Sequence, residues 1–412
     1  MSHPGPTDDE RAAITYLRSP LAVRARCENV LARGLDGGLT HFAVDLDQIA
    51  AAAAEVAAVT RERYPTLQVP GHGRMNQLGA GDVDRVADLA AQMAGLPRME
   101  RARALVDLVL ISVVLDTRAG DAWRYHEAAT GQTLTGSEGL AVATLHAFAA
   151  GLFSAEKREP WRVDARRLVE LDDGDLAAAL QVGPDNPLVG LAGRAQLLRR
   201  LGSALRGSTW FPGARPGSLI DSLGALSRDG AVAAAELLGA LLDGLGDVWP
   251  GAIALGGVPL GDVGRHPAAG GDGPGAGLVP FHARSQWLAY SLFEPLAAAG
   301  LTITAPGALT GLPEPRNGGL LVDTGVLTPR HAGVTGEAHA VDAEPVVEWR
   351  ALTVALLDRV ADAVRDRLGR SASELPLASV LEGGTAAAGR RLAATRRART
   401  SPIEITSDGT VF

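Results

Sequence analysis

The sequence predicts a mainly α-helical, bundle-like protein of two lobes with a few short β-strands. Ala, Leu and Arg are abundant and aromatic residues make up only 4%, a mixture that favours helices because Ala, Leu and Arg lose little freedom in them. The chain has 412 residues, of which 46% are hydrophobic, and single cores stop growing at roughly 250–300 residues. We therefore expect an N-terminal lobe, residues 1–210, and a C-terminal lobe, residues 211–412, within one integrated unit.

Charge, cysteine content and hydropathy exclude several classes of protein. A net charge of −8 argues against non-specific nucleic-acid binding, which needs a basic surface. The only cysteine, Cys27, has no partner for an intramolecular disulfide or a cysteine-based zinc site. The start of the chain lacks a signal-peptide pattern, and no apolar run approaches the roughly 20 residues that span a bilayer. We therefore expect a cytoplasmic protein without membrane or nucleic-acid partners.

Capping residues and apolar periodicity place the helices of the first 250 residues. The segment Thr7–Asp9 can cap a first helix that Pro20 interrupts, and Asp45 caps an Ala-rich helix that ends before Tyr64. The same patterns predict further helices near residues 21–34, 82–94, 100–116, 136–153, 164–179, 188–205, 217–226 and 231–245.

The second half of the chain differs in composition. Residues 250–280 are rich in Gly and Pro, a stretch too long to be a mere connector. The remaining predicted elements are a helix over 282–299, short β-like pieces over 301–304 and 320–322, a long helix over 346–368, a helix near 383–395, and a strand over 403–406.

No familiar catalytic signature is present, whether phosphate loop, dinucleotide fingerprint, nucleophile elbow or zinc-protease motif. The run GGVPLGDVGRHP instead holds Asp262, Arg265 and His266 between glycines and prolines. Glycine allows a backbone to approach a ligand closely, and proline lowers the entropy of holding a loop in one shape. Functional groups concentrate on such loops. A structural ion pair between Asp262 and Arg265 is the alternative interpretation.

A second loop of this kind, LTGLPEPRNGG, contains the candidate catalytic carboxylate. Glu314 lies between two prolines, so its backbone is nearly fixed, and Arg316 follows two residues later. A rigidly placed carboxylate suits a reaction in which positive charge develops on the substrate, because preorganised charge needs no reorganisation. It can equally serve as a general base that orients water. The alternative is a surface turn with a Glu–Arg pair worth under about 1 kcal/mol.

Polar residues also interrupt faces of predicted helices that are otherwise apolar. They are Asp107, Gln286, Tyr290, Glu348 and Arg350. An unpaired buried charge costs several kcal/mol, so each of these groups either pairs or lines a cavity. Any one of them alone indicates a structural role, whereas several in one cleft would indicate a site.

Two further segments are candidate ligand sites. The segment LEGGTAAAGRR places Glu382 before a predicted Gly-Gly-Thr helix start, where free amides suit an anion such as a sugar phosphate. A plain helix cap is the alternative. His331 and His339 flank Glu337 in a polar loop, and we expect no metal there or elsewhere in the chain.

Stretches along nearly the whole chain carry a family resemblance. They are LRSPLAVRARCENVL, THFAVDLDQIAAAAAEVAAVTRERYP, TGSEGLAVATLHAF, QVGPDNPLVGLAGRAQLLRRLG, LGGVPLGDVGRHP, LVPFHARSQWLAYSLFEPL, LTGLPEPRNGGLLVDTGVL, VVEWRALTVALLDRV, LEGGTAAAGRRLA and the terminal SDGTVF. The chain resembles the uracil-catabolism proteins called Urc-four in yeasts and urg-three elsewhere. It departs from that pattern at Gly264, where the family has an aromatic residue, and at Pro315, where it has tyrosine. Both departures lie in the proposed site and imply relaxed or altered substrate contact.

The resemblance implies a route of uracil degradation that opens the pyrimidine ring and passes through a ribosyl-urea intermediate toward urea. Such a route needs a step that breaks the ribose–urea N-glycosidic bond. The order FHARSQWLA, LTGLPEPR and EWRA also resembles the queuosine-salvage nucleotide N-glycosidases, which are all-helical and related in shape to helix-hairpin-helix DNA glycosylases. Their catalytic aspartate, in a D-Y-R segment, matches Glu314, whose side chain reaches one methylene further.

We therefore predict hydrolysis of the N-glycosidic bond of ribosyl-urea or its 5′-phosphate, without a metal or redox cofactor. C1′–N cleavage passes through an oxocarbenium-like state that Glu314 would stabilise, with Arg316 orienting its carboxylate. The predicted substrate-binding residues are Asp107, Trp123, Tyr125, Asp262, His266, His282, Gln286, Glu348, Arg350 and Glu382. Two alternatives stay open: hydrolysis of another ring-opened ureido intermediate, and a non-enzymatic nucleotide sensor or partner protein of the same pathway.

Overall fold

A computed structural model describes residues 5–249 and 251–406. The terminal SDGTVF segment of the family resemblance lies outside these residues. The described chain is mainly α-helical with short strands in two-stranded pairs, so the predicted fold class is confirmed. The relationship to the helix-hairpin-helix glycosylases stays a prediction.

Helices make up most of the secondary structure, and loops and short strands connect them. In chain order, the α-helices are α1 (Asp8–Leu17), α2 (Pro20–Leu35), α3 (Ile49–Arg63), α4 (Arg74–Leu78), α5 (Arg85–Gln92), α6 (Arg98–Leu115), α7 (Gly136–Ala149), α8 (Ala165–Glu170), α9 (Asp173–Ala179), α10 (Leu191–Gly207), α11 (Leu219–Leu226), α12 (Ala234–Leu245), α13 (Ala283–Ala299), α14 (Pro315–Asp323), α15 (Gly333–Gly336), α16 (Glu344–Leu368), α17 (Leu377–Val380) and α18 (Ala386–Arg396). The strands are β1 (Phe42–Val44), β2 (Tyr125–Glu127), β3 (Gln132–Leu134), β4 (Ala231–Ala233), β5 (Ala254–Leu255), β6 (Val258–Pro259), β7 (Val263–Arg265), β8 (Leu278–Pro280), β9 (Thr302–Thr304), β10 (Leu327–Pro329), β11 (Ala338–Ala340) and β12 (Glu404–Thr406).

The helix starts follow the capping residues that the sequence predicts. Thr7 caps α1 through a capping box in which the Glu10 amide donates to the Thr7 hydroxyl over 3.2 Å and the Thr7 amide donates to the Glu10 carboxylate over 2.8 Å. The Asp45 carboxylate accepts from the Asp47 amide over 2.9 Å and starts a short 3-10 turn that leads into α3. Local side-chain chemistry therefore sets where these helices begin.

Four predicted elements differ from the structure. The helix predicted over 231–245 begins only at Ala234, because residues 231–233 form β4. Residues 320–322 are not β-like but lie inside α14, because Pro315 at the first helical position favours a helix from that point. The helix predicted to begin at Gly383 is already under way, since α17 begins at Leu377 and continues through a π-helical turn, Leu381–Thr385, into α18. The single helix predicted over 164–179 is two helices, α8 and α9.

The described chain divides into two compact units that are discontinuous in sequence. The first comprises residues 5–72, 251–286 and 305–406, and the second comprises residues 73–249 and 287–304. The predicted lobes instead meet at one boundary after residue 210. In the second unit β4 and β9 form a two-stranded parallel sheet, although they lie some 70 residues apart in the sequence. Pairings of this kind depend on the folded chain and leave no mark in local composition.

The core of the first unit forms around α16, which packs against α2 and α3. Val347, Leu352 and Leu356 of α16 are fully buried, and each such side chain contributes about 1.5–3 kcal/mol on burial. The same helix also buries Glu348 and Arg350, so the central helix of this unit carries two of the predicted site residues.

The second unit is built around α6, which packs against α7 and α10. Every residue of α6 from Val106 to Leu115 is buried. Across the described ranges of the chain, none of the helices combines the length and apolarity needed to cross a membrane.

Candidate active site

Glu314 lies at the entry to α14, on a turn that is closed by hydrogen bonds. Its amide donates to the Leu312 carbonyl over 2.8 Å, and the Asn317 side-chain amide donates to the same carbonyl over 3.0 Å. Glu314 is the N-cap residue with extended backbone, Pro315 occupies the first helical position, and the Gly318 amide donates to the Glu314 carbonyl over 3.0 Å. This helix start therefore holds the backbone of Glu314 in place.

The loop before Glu314 is fastened to the start of α13 by the buried amide of Gln286. This amide donates from Nε2 to the Phe281 carbonyl and to the Thr310 hydroxyl, both over 2.9 Å, and its Oε1 accepts from the Thr310 backbone amide over 2.9 Å. Gln286 is a predicted substrate-binding residue, and these bonds give it a positioning role instead. Buried polar groups satisfied in this way fix one conformation.

The carboxylate of Glu314 is half-buried, and its side chain does not cap α14. Within the described residues, no hydrogen bond or ion pair to this carboxylate is found. Arg316 is exposed, and within the described residues it makes no pair with Glu314. The Glu–Arg pair of a plain surface turn is therefore not seen in that part of the chain, and the predicted orientation of the Glu314 carboxylate by Arg316 is not seen there either. Glu314 is therefore a rigidly placed carboxylate whose oxygens remain available to a ligand.

A histidine–glutamate pair stands close to Glu314. The His72 Nδ1 and Glu382 Oε2 atoms are 2.8 Å apart, and the two side chains are only 14% and 10% exposed. Tyr64 donates from its hydroxyl to Glu382 Oε1 over 3.4 Å, and an Arg63 nitrogen lies 3.6 Å from the same oxygen. His72 itself is held by its backbone amide, which donates to the Ala378 carbonyl over 3.0 Å.

Glu382 owes its position to the π-helical turn, which contacts α3, α14, α17 and α18. A Cβ at Gly384 would lie 2.6 Å from the Val56 carbonyl oxygen of α3, so only glycine permits this approach. Such π-turns occur frequently at functional sites. The amides of the Gly-Gly-Thr run lie inside a continuous helical segment, so the predicted anion site at a helix start is wrong.

The charge of this cluster acts on His72. Burial lowers the pKa of the imidazole, and repulsion from Arg63 lowers it further. The hydrogen bond and charge of Glu382 and the charge of Glu314 raise it. These carboxylates outweigh the other two effects, so the pKa of His72 is raised. Two carboxylates therefore share one histidine, and they favour its protonated form.

The predicted residue Asp262 forms an ion pair, though not with Arg265. Arg350 Nη2 lies 2.8 Å from Asp262 Oδ2, and the Ala283 amide donates to the same oxygen over 3.0 Å. Burial opposes ionisation of Asp262, but Arg350 outweighs it and lowers the pKa of the carboxyl group. The Arg350 guanidinium also lies 4.0 Å from the centre of the Phe281 ring. The proposed Asp262–Arg265 pair is wrong, since Arg265 is exposed.

Glu348 and His266 form another pair inside the first unit. Glu348 Oε1 accepts from the amides of His41 and Phe42 over 3.1 and 2.8 Å, and its Oε2 lies 3.1 Å from His266 Nε2. His266 Nδ1 accepts from the Ala268 amide over 3.1 Å, so the proton belongs on Nε2, facing Glu348. Both carboxylate oxygens are thus engaged by the fold.

His282 begins α13 and is buried. Its Nε2 lies 2.9 Å from the Leu17 carbonyl oxygen, and burial, only partly opposed by that contact, lowers its pKa.

Gly264, the first departure from the family pattern, is also buried, and a Cβ there would lie 2.7 Å from the Val347 side chain. Val347 therefore occupies the space into which a larger residue at this position would extend.

The remaining predicted residues lie in the second unit, where their described contacts hold that unit together. Asp107 is fully buried and accepts from Arg215 Nε and from the Gly217 amide, both over 2.7 Å. Burial, against the attraction of Arg215, raises the pKa of Asp107 to about 6. Trp123 donates to the Leu180 carbonyl over 2.9 Å, and the Tyr125 ring stacks on His146 at 6.1 Å.

One group of side chains in the described residues has metal-ligand spacing: His41, Glu344 and Glu348, whose ligand atoms lie within 4.8 Å of one another. Because Glu348 already binds two amides and His266, we assign this group no metal. His339 Nε2 contacts the carbonyl oxygens of Gly333 and Val334, which gives that histidine a structural role in its loop.

A pocket of about 360 Å³ opens at the opposite end of α14 from Glu314. Its charged lining groups are paired, since Asp323 accepts from Arg397 over 2.7 Å and Glu55 accepts from Arg391 over 2.8 Å. This pocket therefore does not belong to the acidic site.

The residues that sequence reasoning missed are His72, Tyr64 and Arg63. His72 does lie in VPGHGR, a short polar segment bounded by Pro and Gly like those that contain Asp262 and Glu314. Its partner Glu382 is 310 positions away, and no local pattern joins the two.

Fold and site together define a mainly α-helical protein with a half-buried acidic site, in which one carboxylate stands beside a histidine–glutamate pair. Residues 16–412 match the family model described as Protein of unknown function (DUF1688), and the chain belongs to that family. It is 35% identical to Uracil catabolism protein 4 of Lachancea kluyveri and 36% identical to Protein urg3 of Schizosaccharomyces pombe. Each match covers 97% of this chain and 99% of the relative, so the resemblance to the uracil-catabolism proteins is confirmed.

Proposed function

We propose that this protein acts in uracil catabolism and hydrolyses the N-glycosidic bond of ribosyl-urea or its 5′-phosphate. The place in uracil catabolism is supported by the name of the Lachancea kluyveri relative, which aligns with nearly the whole chain. The reaction is supported by one observation above all: Glu314 is rigidly held and half-buried, with no described partner for its carboxylate.

The chemistry of the bond explains why such a carboxylate would be useful. When the C1′–N bond breaks, positive charge develops on the ribose ring oxygen and C1′, and a fixed negative charge lowers the energy of that state. Asp262, Glu348 and Asp107 are unsuited to this task because cationic groups or amides of the protein already occupy their oxygens.

The direct test is to incubate the purified protein with ribosyl-urea and, separately, with its 5′-phosphate, and to measure free urea. We expect release of urea from one of the two, and a loss of at least about 10²-fold in Glu314→Gln. Glu348→Gln is the contrasting variant, because it removes a fully buried structural carboxylate and should lower the melting temperature.

The outcomes separate the alternatives. Binding of ribosyl-urea without release of urea would remove the hydrolase and favour a sensor. Release of urea or ammonia only from a different ring-opened ureido compound would move the reaction to another step. Equal turnover by wild type and Glu314→Gln would exclude Glu314 as the catalytic carboxylate.

A further inference from the structure

Two buried polar atoms at the first turn of α14 have no hydrogen-bond partner within the described residues. One is Oδ1 of Asn317, a residue that is only 2% exposed. The other is Nε1 of Trp349, on α16, which is likewise 2% exposed. Trp349 packs against the turn, since a Cβ at Gly318 would lie 2.7 Å from this nitrogen. A buried acceptor and a buried donor are therefore left unpaired at the helix start that follows Glu314.

Unpaired atoms of this kind lower the stability of a fold. A buried polar atom loses its hydrogen bonds to water, and without a protein partner it gains none in return. Most buried polar groups in native proteins are paired, so each exception calls for an explanation. Exceptions are expected at functional sites, where a protein gives up some stability for its activity.

The single hydrogen bond of the Asn317 side chain shows what its amide does. The amide lies 3.0 Å from the Leu312 carbonyl oxygen, which can only accept, so the atom that faces this oxygen is the donor Nδ2. The same carbonyl accepts from the backbone amide of Glu314 over 2.8 Å. Asn317 therefore fastens the turn of Glu314 through an oxygen to which both residues donate.

Folding alone does not require this bond. Without the Asn317 amide, the Glu314 amide would still donate to the Leu312 carbonyl, and the unpaired Oδ1 atom would be gone. Stability would therefore favour an apolar side chain at position 317. The amide is useful where the turn has to be held more tightly than one backbone hydrogen bond can hold it.

We propose that Asn317 is a positioning residue for Glu314, an inference that rests on the proposed function. Its amide restricts the turn from Leu312 to Glu314, so that the carboxylate stays where it stabilises the developing cation. A misplacement of about 1 Å in a reacting group can cost about 10²-fold in rate. Asn317 is buried, so it acts through Glu314 and not on the substrate itself.

The experiment removes the amide in two variants: Asn317→Leu, which keeps the branching of the side chain, and Asn317→Ala, which is smaller. The substrate is whichever of ribosyl-urea and its 5′-phosphate the wild type cleaves. We expect kcat for urea release to fall about 10²-fold in both variants, with KM close to the wild-type value. In urea unfolding, the more stable of the two should match or exceed the wild type, because the unpaired acceptor is removed.

A double-mutant cycle with Glu314→Gln separates positioning from a general loss of structure. If Asn317 acts through Glu314, Asn317→Leu should cause no further fall in kcat once Glu314 has been replaced. Asn29→Ala is the matched control, because Asn29 also donates through Nδ2 to a carbonyl that has a second donor. That carbonyl belongs to Ala269, and its other donor is Arg26. The kcat of Asn29→Ala should stay at the wild-type value.

The outcomes distinguish this inference from the proposed function. A wild type that releases no urea from either compound overturns the proposed function, and the role of Asn317 is then decided by crystal structures. In these, Glu314 should be displaced in Asn317→Leu and keep its position in Asn29→Ala. Three results overturn the role of Asn317 alone: an unchanged kcat in both Asn317 variants, an equal fall in the Glu314→Gln background, or an undisplaced Glu314 in Asn317→Leu.

Discussion

Among the histidine–glutamate pairs of the described residues, His72–Glu382 of the first unit and His146–Glu127 of the second have similar distances and opposite surroundings. In the second unit His146 Nε2 lies 2.6 Å from Glu127 Oε1. Arg85 donates to the same carboxylate from Nε over 2.7 Å and from Nη2 over 2.5 Å. In the first unit His72 Nδ1 lies 2.8 Å from Glu382 Oε2, and the nearest Arg63 nitrogen is 3.6 Å from Glu382 Oε1. The negative charge of a further carboxylate, Glu314, also acts on His72.

The difference shows what separates a structural pair from a candidate catalytic pair. The hydrogen bonds from Arg85 lower the pKa of Glu127 by more than burial raises it. Hydrogen bonds from Thr130 and His146 act in the same direction as Arg85, and the pKa of Glu127 falls to about 2. Its negative charge is neutralised inside the fold. Around His72 the charge of Glu314 is not neutralised by any described partner, so it is available to stabilise a proton or a developing cation.

The largest effect that would test this contrast is on stability. Glu127→Gln leaves Arg85 buried without its carboxylate, and loss of one partner of a buried pair costs about 3–5 kcal/mol. Glu314→Gln removes no described contact and should change the free energy of unfolding by less than about 0.5 kcal/mol. Urea unfolding of both variants measures this, and similar losses in the two would remove the distinction between the pairs.

Lowering the pH should weaken the structural Glu127 pair in the wild-type protein, without a mutation. Glu127 has a lowered pKa in the folded protein, so its contribution is complete above the ordinary glutamate value of 4.5 and is lost as pH falls toward about 2. The shift corresponds to about 3 kcal/mol. Unfolding midpoints recorded between these pH values should fall more steeply for wild type than for Glu127→Gln, and parallel curves would contradict the assignment.

A smaller effect should follow from a change behind Glu314. A Cβ at Gly389 of α18 would lie 2.1 Å from the Arg316 carbonyl oxygen, so Gly389→Ala must push α14 away. We expect a loss of about 1–3 kcal/mol in the free energy of unfolding, measured by urea denaturation. Turnover should also fall, because the helix start that holds Glu314 moves.

Gly239→Ala is the control for this change, since the Cβ at Gly239 of α12 meets no atom within 4 Å. A helical glycine replaced by alanine in open space should stabilise by about 0.5–1 kcal/mol. If both variants gain stability, α14 and α18 are not as closely packed as the structure has them.

Much of the fold is predictable because it depends on neighbours in sequence. The capping box of Thr7 and Glu10 joins residues three apart, and the long helix α16 follows from apolar spacing within one segment. The β-like piece predicted over 320–322 is wrong for a local reason as well. Pro315 fixes its own backbone in a way that suits the first turn of a helix as well as a rigid loop, and in this chain it begins a helix.

The candidate site is predictable only in part. Sequence patterns single out Glu314 and Glu382, but they also group with them Gln286, Glu348 and Arg350, whose described bonds hold the fold. Such a pattern shows that a buried polar group needs a partner. It does not show whether that partner is another side chain or a ligand.

The sequence by itself determined the helical class, the family, and the rigid turn on which Glu314 stands. Only the tertiary structure decided that Arg350, and not the nearby Arg265, neutralises Asp262 across 88 positions, and that Glu382 reaches His72 across 310. The physical reason is that the two kinds of interaction act over different separations along the chain. Backbone preferences act within a few residues, whereas electrostatic pairing depends on distances of a few ångströms that exist only once the chain has folded.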